Sequence, residues 1–270
     1  MRPGCAYDTI GASPGNKKWV SAAAVADYGD AQALWIPPTL PFRLGIAVGR
    51  ASLFNINASA VKCGLAVRYP VATWVAGQVT AAGAYTADTT DAQSATTGDF
   101  SMHDRADSGS GFLLGADLPF NIVGLVQFAA GDQTTPVKIV EYWDGAAWVD
   151  IVAALLISDT LNAGGTGEKL LMFPRPSNWV VGGTGTGVPA TSYNLRVRHT
   201  HGGAGTANPV ASQVFLGHAH LVTPNLAQNA QVGWDLPGGE FLFPRQGEAL
   251  FPFFSTADRG NHVEVAVRGY

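Results

Sequence analysis

VKIVEYWDGAAWVDI, residues 137–151, sets two runs rich in Val, Ile, Tyr and Trp on either side of Asp144-Gly145. An Asp-Gly pair between β-formers signals a hairpin, because both residues tolerate the positive φ of a type I′ turn. With a two-residue loop, Tyr142 faces Ala147, Val140 faces Val149 and Lys138 faces Ile151. Ile139, Trp143 and Trp148 then share the opposite side. Both faces are apolar, so the hairpin has to be covered twice, by a second sheet and by something else. Another chain is a candidate for that second cover, which makes Tyr142, Trp143 and Trp148 candidate interface residues.

Outward from the hairpin, strands and turns alternate. Val61, Cys63, Leu65, Val67 and Tyr69 recur at period two. Tyr193, Leu195 and Val197 alternate with Asn194, Arg196 and Arg198. Val263, Val265 and Val267 alternate with His262, Glu264, Ala266 and Arg268, after a turn at Asp258-Arg259-Gly260-Asn261. Period two places such residues on one face of a strand. Residues 250–254 read as the hairpin partner of that last strand. Residues 151–157 fit a buried strand or a short helix. Residues 81–98 read as a long loop or a flat edge ribbon, and residues 182–187, GGTGTG, as a flexible loop. Residues 20–28 have the composition for two helical turns before Gly29, and Pro37, Pro38 and Pro41 then exclude regular structure. Pro3, Gly4, Gly11, Pro14 and Gly15 make residues 1–18 an extended arm that orders against a neighbour. The reading is all-β, with helix below about 15 % against a usual share of about 30 %. It comprises one or two antiparallel β-sandwich, jelly-roll-like domains with an N-terminal arm. The arm is residues 1–40, the sandwich region 41–205, and the C-terminal β segment 206–270 is able to complete a second sandwich with 41–98.

The chain has 270 residues, enough for a sizeable core, but only 13 % are charged, about half the usual share of roughly 25 %. Gly, Ala and Thr take the place of Lys and Glu. Such a surface suits packing against copies or a lattice; equally, Gly serves many β-turns. Net charge is −4 and the 16 basic residues are scattered. The densest basic run, Arg196, Arg198, His199 and His201, is too small for a phosphate-tracking groove, so nucleic acid is not expected as a partner. No run approaches the roughly 18 apolar residues of a membrane helix, and residues 1–11 lack a hydrophobic signal core. Cys5 and Cys63 are not expected to pair, in keeping with synthesis in a reducing cytoplasm.

Catalytic patterns are missing from the sequence. Ser108-Gly109-Ser110-Gly111 sits in a polar loop without the strand-to-helix context of a nucleophile elbow, and reads as a turn. The glycines of residues 182–187 lack the Lys and following helix of a phosphate cradle. Asp99, Asp104, Asp107 and Asp117 lack EF-hand spacing, and His103-Asp104-Arg105-Asp107 reads as a solvated or interface loop. Two His-x-His pairs are the candidate metal ligands: His199 with His201, and His218 with His220. Residues i and i+2 of a strand project to one side, and paired imidazoles chelate zinc, nickel or iron. The pairs end successive strands, so all four are able to converge, or to meet their symmetry mates on a trimer axis. The commoner reading is ordinary turn and surface histidines. A cupin-like metalloenzyme also uses His-x-His, but the spaced Glu it needs is missing after both pairs. No other cofactor is expected.

Residues 98–200 carry a resemblance. Phe120-Asn121-Ile122-Val123-Gly124-Leu125-Val126-Gln127-Phe128 forms one strand-like piece. Glu141-Tyr142-Trp143-Asp144-Gly145-Ala146-Ala147-Trp148-Val149 follows. Then come a Gly-Thr segment, the corner Pro174-Arg175-Pro176-Ser177-Asn178-Trp179, and Tyr193-Asn194-Leu195-Arg196-Val197-Arg198. In order and approximate spacing these pieces resemble a recurrent module of tailed-bacteriophage virion proteins. Residues 1–95 and the last 60 carry none of its motifs. The resemblance implies a non-enzymatic structural protein of a phage particle, located in the virion after synthesis in the host cytoplasm. A capsid decoration or cement protein on the major capsid protein is the first expectation, as a homo-oligomer, most plausibly a trimer. A tail, baseplate or fibre component is the second. From a different class comes a carbohydrate-binding sandwich, with Trp143, Trp148, Trp179 or Trp234 stacking on sugar rings.

Overall fold

Turn-punctuated β-formers fold as strands throughout the computed structural model, which describes residues 7–12, 46–55, 60–94, 99–161, 166–241, 249–254 and 262–269. The protein is all-β, with 49 % strand and 7 % helix. Cys5, the helical turns expected at residues 20–28, the proline break at 37–41 and the turn at 258–261 lie outside the described residues. Among the described residues no helix is long and apolar enough to cross a membrane.

Two bodies divide the chain, Met1–Pro70 with Gly217–Tyr270, and Val71–Leu216. The strands in chain order are β1 (Tyr7–Ala12), β2 (Ile46–Asn55), β3 (Val61–Arg68), β4 (Trp74–Val79), β5 (Tyr85–Ala87), β6 (Phe100–Ser101), β7 (Gly111–Ala116), β8 (Ile122–Ala129) and β9 (Val137–Trp143). They continue as β10 (Trp148–Asp150), β11 (Ile157–Ser158), β12 (Gly167–Met172), β13 (Tyr193–Thr200), β14 (Val210–Leu226), β15 (Ala230–Phe241), β16 (Ala249–Phe254) and β17 (His262–Gly269).

In the first body, β1-β17-β2-β15 form one antiparallel sheet. Residues 7–12 of the expected arm thus pair with the chain's own C-terminal strand, Ile10 opposite Val265. The second half of β14, β3 and β16 form another antiparallel ladder. The partner of β16 is therefore β3, not the C-terminal strand. Cys63, Leu65, Ala66 and Val67 of β3 are all buried, as is Phe253. A strand buried on both faces is a central strand, and pairing on both edges supplies its backbone hydrogen bonds. Burial pushes the Cys63 thiol up to about 12, so it is an inert core residue.

In the second body, β10-β9-β13-β7-β4-β5 form one antiparallel sheet, and β11-β12-β8-β14, with β6 on β14, a second. All six residues of β7 are buried. Phe112, Leu114, Leu195 and Val197 of the first sheet and Phe100, Leu170 and Leu216 of the second are fully buried, and Phe100 meets Phe112 edge to face at 5.8 Å. The ambiguous residues 151–157 become a 3-10 turn at Val152–Ala154 leading into β11. Residues 81–98 hold the edge strand β5 and a single helical turn, α1 (Thr89–Gln93).

The hairpin of β9 and β10 forms with a register different from the expected one. Trp148 pairs with Trp143, Val149 with Tyr142 and Asp150 with Glu141. The loop is four residues long because Asp144 Oδ1 accepts from the amides of Ala146 and Ala147 at 2.8 and 2.7 Å, an Asx-type turn. Gly145 takes φ 101° within it. The register moves by two residues, so each side chain keeps its expected face.

Residues 182–187 are an anchored cover, not a flexible loop. Gly182 N donates to Ser192 O, Tyr85 N to Thr186 O, and Trp148 Nε1 to Thr184 O. Asn194, fully buried, donates from Nδ2 to Gly182 O at 2.9 Å and Pro189 O at 2.7 Å. Glycine is required where the loop turns tightly over the sheet: Gly185 has φ 130°, and a Cβ there would strike the backbone of Gly83.

Candidate functional site

The alternation of β13 gives the second body two chemically different faces. Asn194, Arg196 and Arg198 project to one side; Leu195, Val197 and His199 project to the other.

On the first side, two arginines grip one carboxylate. Arg196 donates from Nε to Glu141 Oε2 at 2.6 Å and from Nη2 to Oε1 at 3.1 Å. Arg198 donates to the same oxygens at 2.9 and 3.1 Å. Burial pushes the Glu141 carboxyl up, but the hydrogen bonds and charges of both guanidiniums outweigh this and hold it below the ordinary range. The Arg196 guanidinium lies 4.3 Å from the centre of the Trp148 ring, at cation–π distance.

Trp179 is an aromatic hub. Its ring meets Phe120 at 5.0 Å and Tyr142, Phe173 and Tyr193 at 6.1 Å each. Its Nε1 donates to Asn194 O, and Tyr142 OH donates to Asn178 Oδ1 at 2.8 Å. These contacts surround Tyr142, Trp143 and Trp148, the residues expected at an interface, with groups of the same body. Tyr142 and Trp143 are buried, one under residues 178–179 and the other beside Gly182. Trp148 is half-buried between Trp143 at 5.6 Å, Arg196 and the glycine loop. Tyr142 and Trp143 of the hairpin are covered from within the body, while Val137 at the start of β9 is exposed. Trp143 and Trp179 offer no open platform for a sugar, and Arg196 occupies a face of Trp148. The side chain of Trp234 is not among those described.

On the second side, at the far end of β13, three imidazoles meet. His103 stacks on His199 at 4.9 Å and 34°, and on His201 at 5.8 Å and 32°. The loop after β6 is laced to β13: His199 N donates to Ser110 O, Gly109 N to His199 O, and His201 N to Ser108 Oγ. Ser108 is thus a turn residue, as its glycine-spaced setting implies. His103 is 1 % and His199 2 % exposed. Neither ring nitrogen of His199, nor Nε2 of His201, has a hydrogen-bond partner. Desolvation lowers His199 to about 3, and the charges of His103, Lys138 and His201 act in the same direction. His199 is therefore a neutral imidazole near neutral pH. Lys138, opposite His199 on β9, donates from Nζ to Ser158 Oγ and Asp159 O. Burial lowers it to about 8, against the opposing pull of Asp159.

The sequence pattern singled out His199 and His201 but not His103, whose charged neighbours made it look like part of a solvated loop. His218 and His220 belong to the first body. The pairing of β14 with β3 shifts register between Ala219 and Leu221, and the side chain of His220 is not among those described. Among the described residues, no group of three or more His, Cys, Asp or Glu could hold a metal ion. Asp104 Oδ1 accepts from Ala106 N within its own turn, and Asp107 Oδ2 accepts from Ala81 N of a neighbouring loop.

Asp132 clasps a neighbouring loop, accepting from Ala207 N, Thr206 Oγ1 and Thr206 N. These bonds hold its carboxyl at about 2. The folded value lies below the ordinary 3.8, so the clasp is complete above about pH 4 and is lost as pH falls through about 2. The amides of Thr206 and Ala207 are expected to lose exchange protection across that window, and Asp132→Asn to abolish the pH dependence. Protection unchanged between about pH 4 and 2 would refute this.

The chain matches no protein-family model, no curated protein and no solved structure.

Proposed function

We propose that this chain is a non-enzymatic structural protein of a phage particle, and within that class a decoration or cement protein on the head. The observation that carries the reading is how the pieces of the module resemblance meet. They all lie within Val71–Leu216. Glu141, beside the Tyr-Trp-Asp-Gly hairpin, is gripped by both arginines of the Tyr-x-Leu-Arg-x-Arg strand. The Pro-Ser-Asn-Trp corner places Trp179 on Tyr142, Phe120 and Tyr193. Residues spread over this stretch therefore belong to one contact network, which gives the co-occurrence of the motifs a physical basis. Sparse surface charge and an all-β build support a role in contacts with capsid proteins or sibling copies, a trimer being the preferred assembly. A cement protein binds the assembled shell and not its free subunits, so it stabilises the shell by mass action.

Particles purified from a phage encoding this chain test the proposal. Mass spectrometry and cryo-electron microscopy should find it on the head in fixed proportion to the major capsid protein. Particles lacking it should lose genome at lower temperature. Density on the tail or baseplate would replace the cement reading with the tail one. Absence from purified particles would overturn the virion assignment.

A further inference from the structure

The surroundings of His199 suit a neutral ring and no other. It is 2 % exposed at the end of β13, with His103 stacked on it at 4.9 Å. Among the described residues, neither of its buried ring nitrogens has a hydrogen-bond partner. The charges that act on it come from His103, Lys138 and His201, groups that are neutral or positive. The carboxylates on the surrounding elements are engaged elsewhere. Asp104 and Asp107 accept from Ala106 N and Ala81 N, Asp159 from Leu170 N, and Glu141 is gripped on the other face of β13. A proton added to the ring therefore makes a buried cation that nothing offsets.

The same ring stands where a loop is fastened. Residues 102–110 close onto the end of β13 through His199 N to Ser110 O at 3.0 Å, Gly109 N to His199 O at 2.8 Å and His201 N to Ser108 Oγ at 3.0 Å. His103 comes from that loop and His199 from the strand, so the ring contact and the backbone bonds belong to one closure. We propose that this contact is an acid-sensitive latch: it holds residues 102–110 on the end of β13 while His199 is neutral and releases them when the ring takes up a proton. Once the loop opens, the ring meets water and protonates near its ordinary 6.5, whereas in the closed form protonation waits until about 3. The open form binds more protons throughout that interval. Closure is therefore fully present above about pH 6.5 and weakens as pH falls below it. The opening equilibrium should rise about tenfold per pH unit, or about thirtyfold between pH 7.5 and 5. Release also frees Ala81 N from Asp107, so it reaches the neighbouring loop. The proposal stands independently of the virion assignment.

Amide hydrogen exchange of the full chain, corrected for intrinsic rates, is the test. Protection of the Gly109, His199 and His201 amides should fall about thirtyfold between pH 7.5 and 5. That of Phe173 N, which donates to Asn121 O, should change by less than about threefold. The Asp132 clasp, complete above about pH 4, lies outside this window and does not produce the effect. His199→Gln, whose side chain does not titrate, should flatten the dependence, and a fall retained in the folded variant would overturn the proposal. Should that variant misfold, histidine nuclear magnetic resonance of the unmutated protein decides: the His199 ring must stay neutral in the closed form at about pH 5. Three other results overturn the latch: protection constant within about threefold, an equal fall at Phe173, or a closed-form His199 that titrates near its ordinary value.

Discussion

Trp179→Ala is expected to destabilise the Val71–Leu216 body by about 3–5 kcal/mol, the range for removing a large buried aromatic. Trp179 is 6 % exposed and its ring touches four other aromatics. Alanine leaves a cavity among rings held by strands and the 174–179 corner, which collapse little. It also leaves Asn194 O without its indole donor. Trp179→Phe keeps most of the packing and loses that hydrogen bond, so it should cost about 1–2 kcal/mol. Urea unfolding followed by near-ultraviolet circular dichroism measures both, as a lowered midpoint at unchanged slope. A loss below about 1 kcal/mol for the alanine variant would mean that Trp179 is not the hub described.

Glu141→Ala should cost about 2–3 kcal/mol. Removing one member of a fully buried ion pair costs about 3–5 kcal/mol, because the partner charge is left uncompensated. The estimate is lower here because the side chains of Arg196 and Arg198 remain 13 and 20 % exposed, where water screens them. Two guanidiniums that shared a carboxylate would then repel across adjacent positions of one strand face. A double-mutant cycle with Arg196→Ala isolates the pair term, and additive losses would show that the clasp carries no coupling. The folded carboxyl lies below its ordinary value of 4.5. The clasp is therefore fully present above that pH and weakens as pH falls through the lowered folded value.

Both effects reach into a region whose local structure was legible residue by residue. Alternation at period two is a property of a few neighbours, so β3, β13 and β17 could be read directly, as could the two sides of β13. Asp144-Gly145 announced a hairpin for the same local reason. Its register was not legible from the pair alone, because the Asp144 side chain captures two amides and lengthens the loop. Loop composition also misled: residues 182–187 look mobile by their glycines, yet those glycines let the backbone press onto Trp148 and beside Tyr85.

What the sequence by itself determined was the all-β class, the strands marked by period-two residues and the hairpin, all set by interactions over a few residues. Tertiary structure decided which strands pair, β16 with β3 instead of β17, and what covers the hairpin, its own glycine loop. It also brought His103 to His199 and His201, and closed Glu141 onto two arginines. These outcomes depend on which distant segments bury the most apolar surface while satisfying every buried backbone group. That competition is settled over the whole body at once, and no local pattern records it.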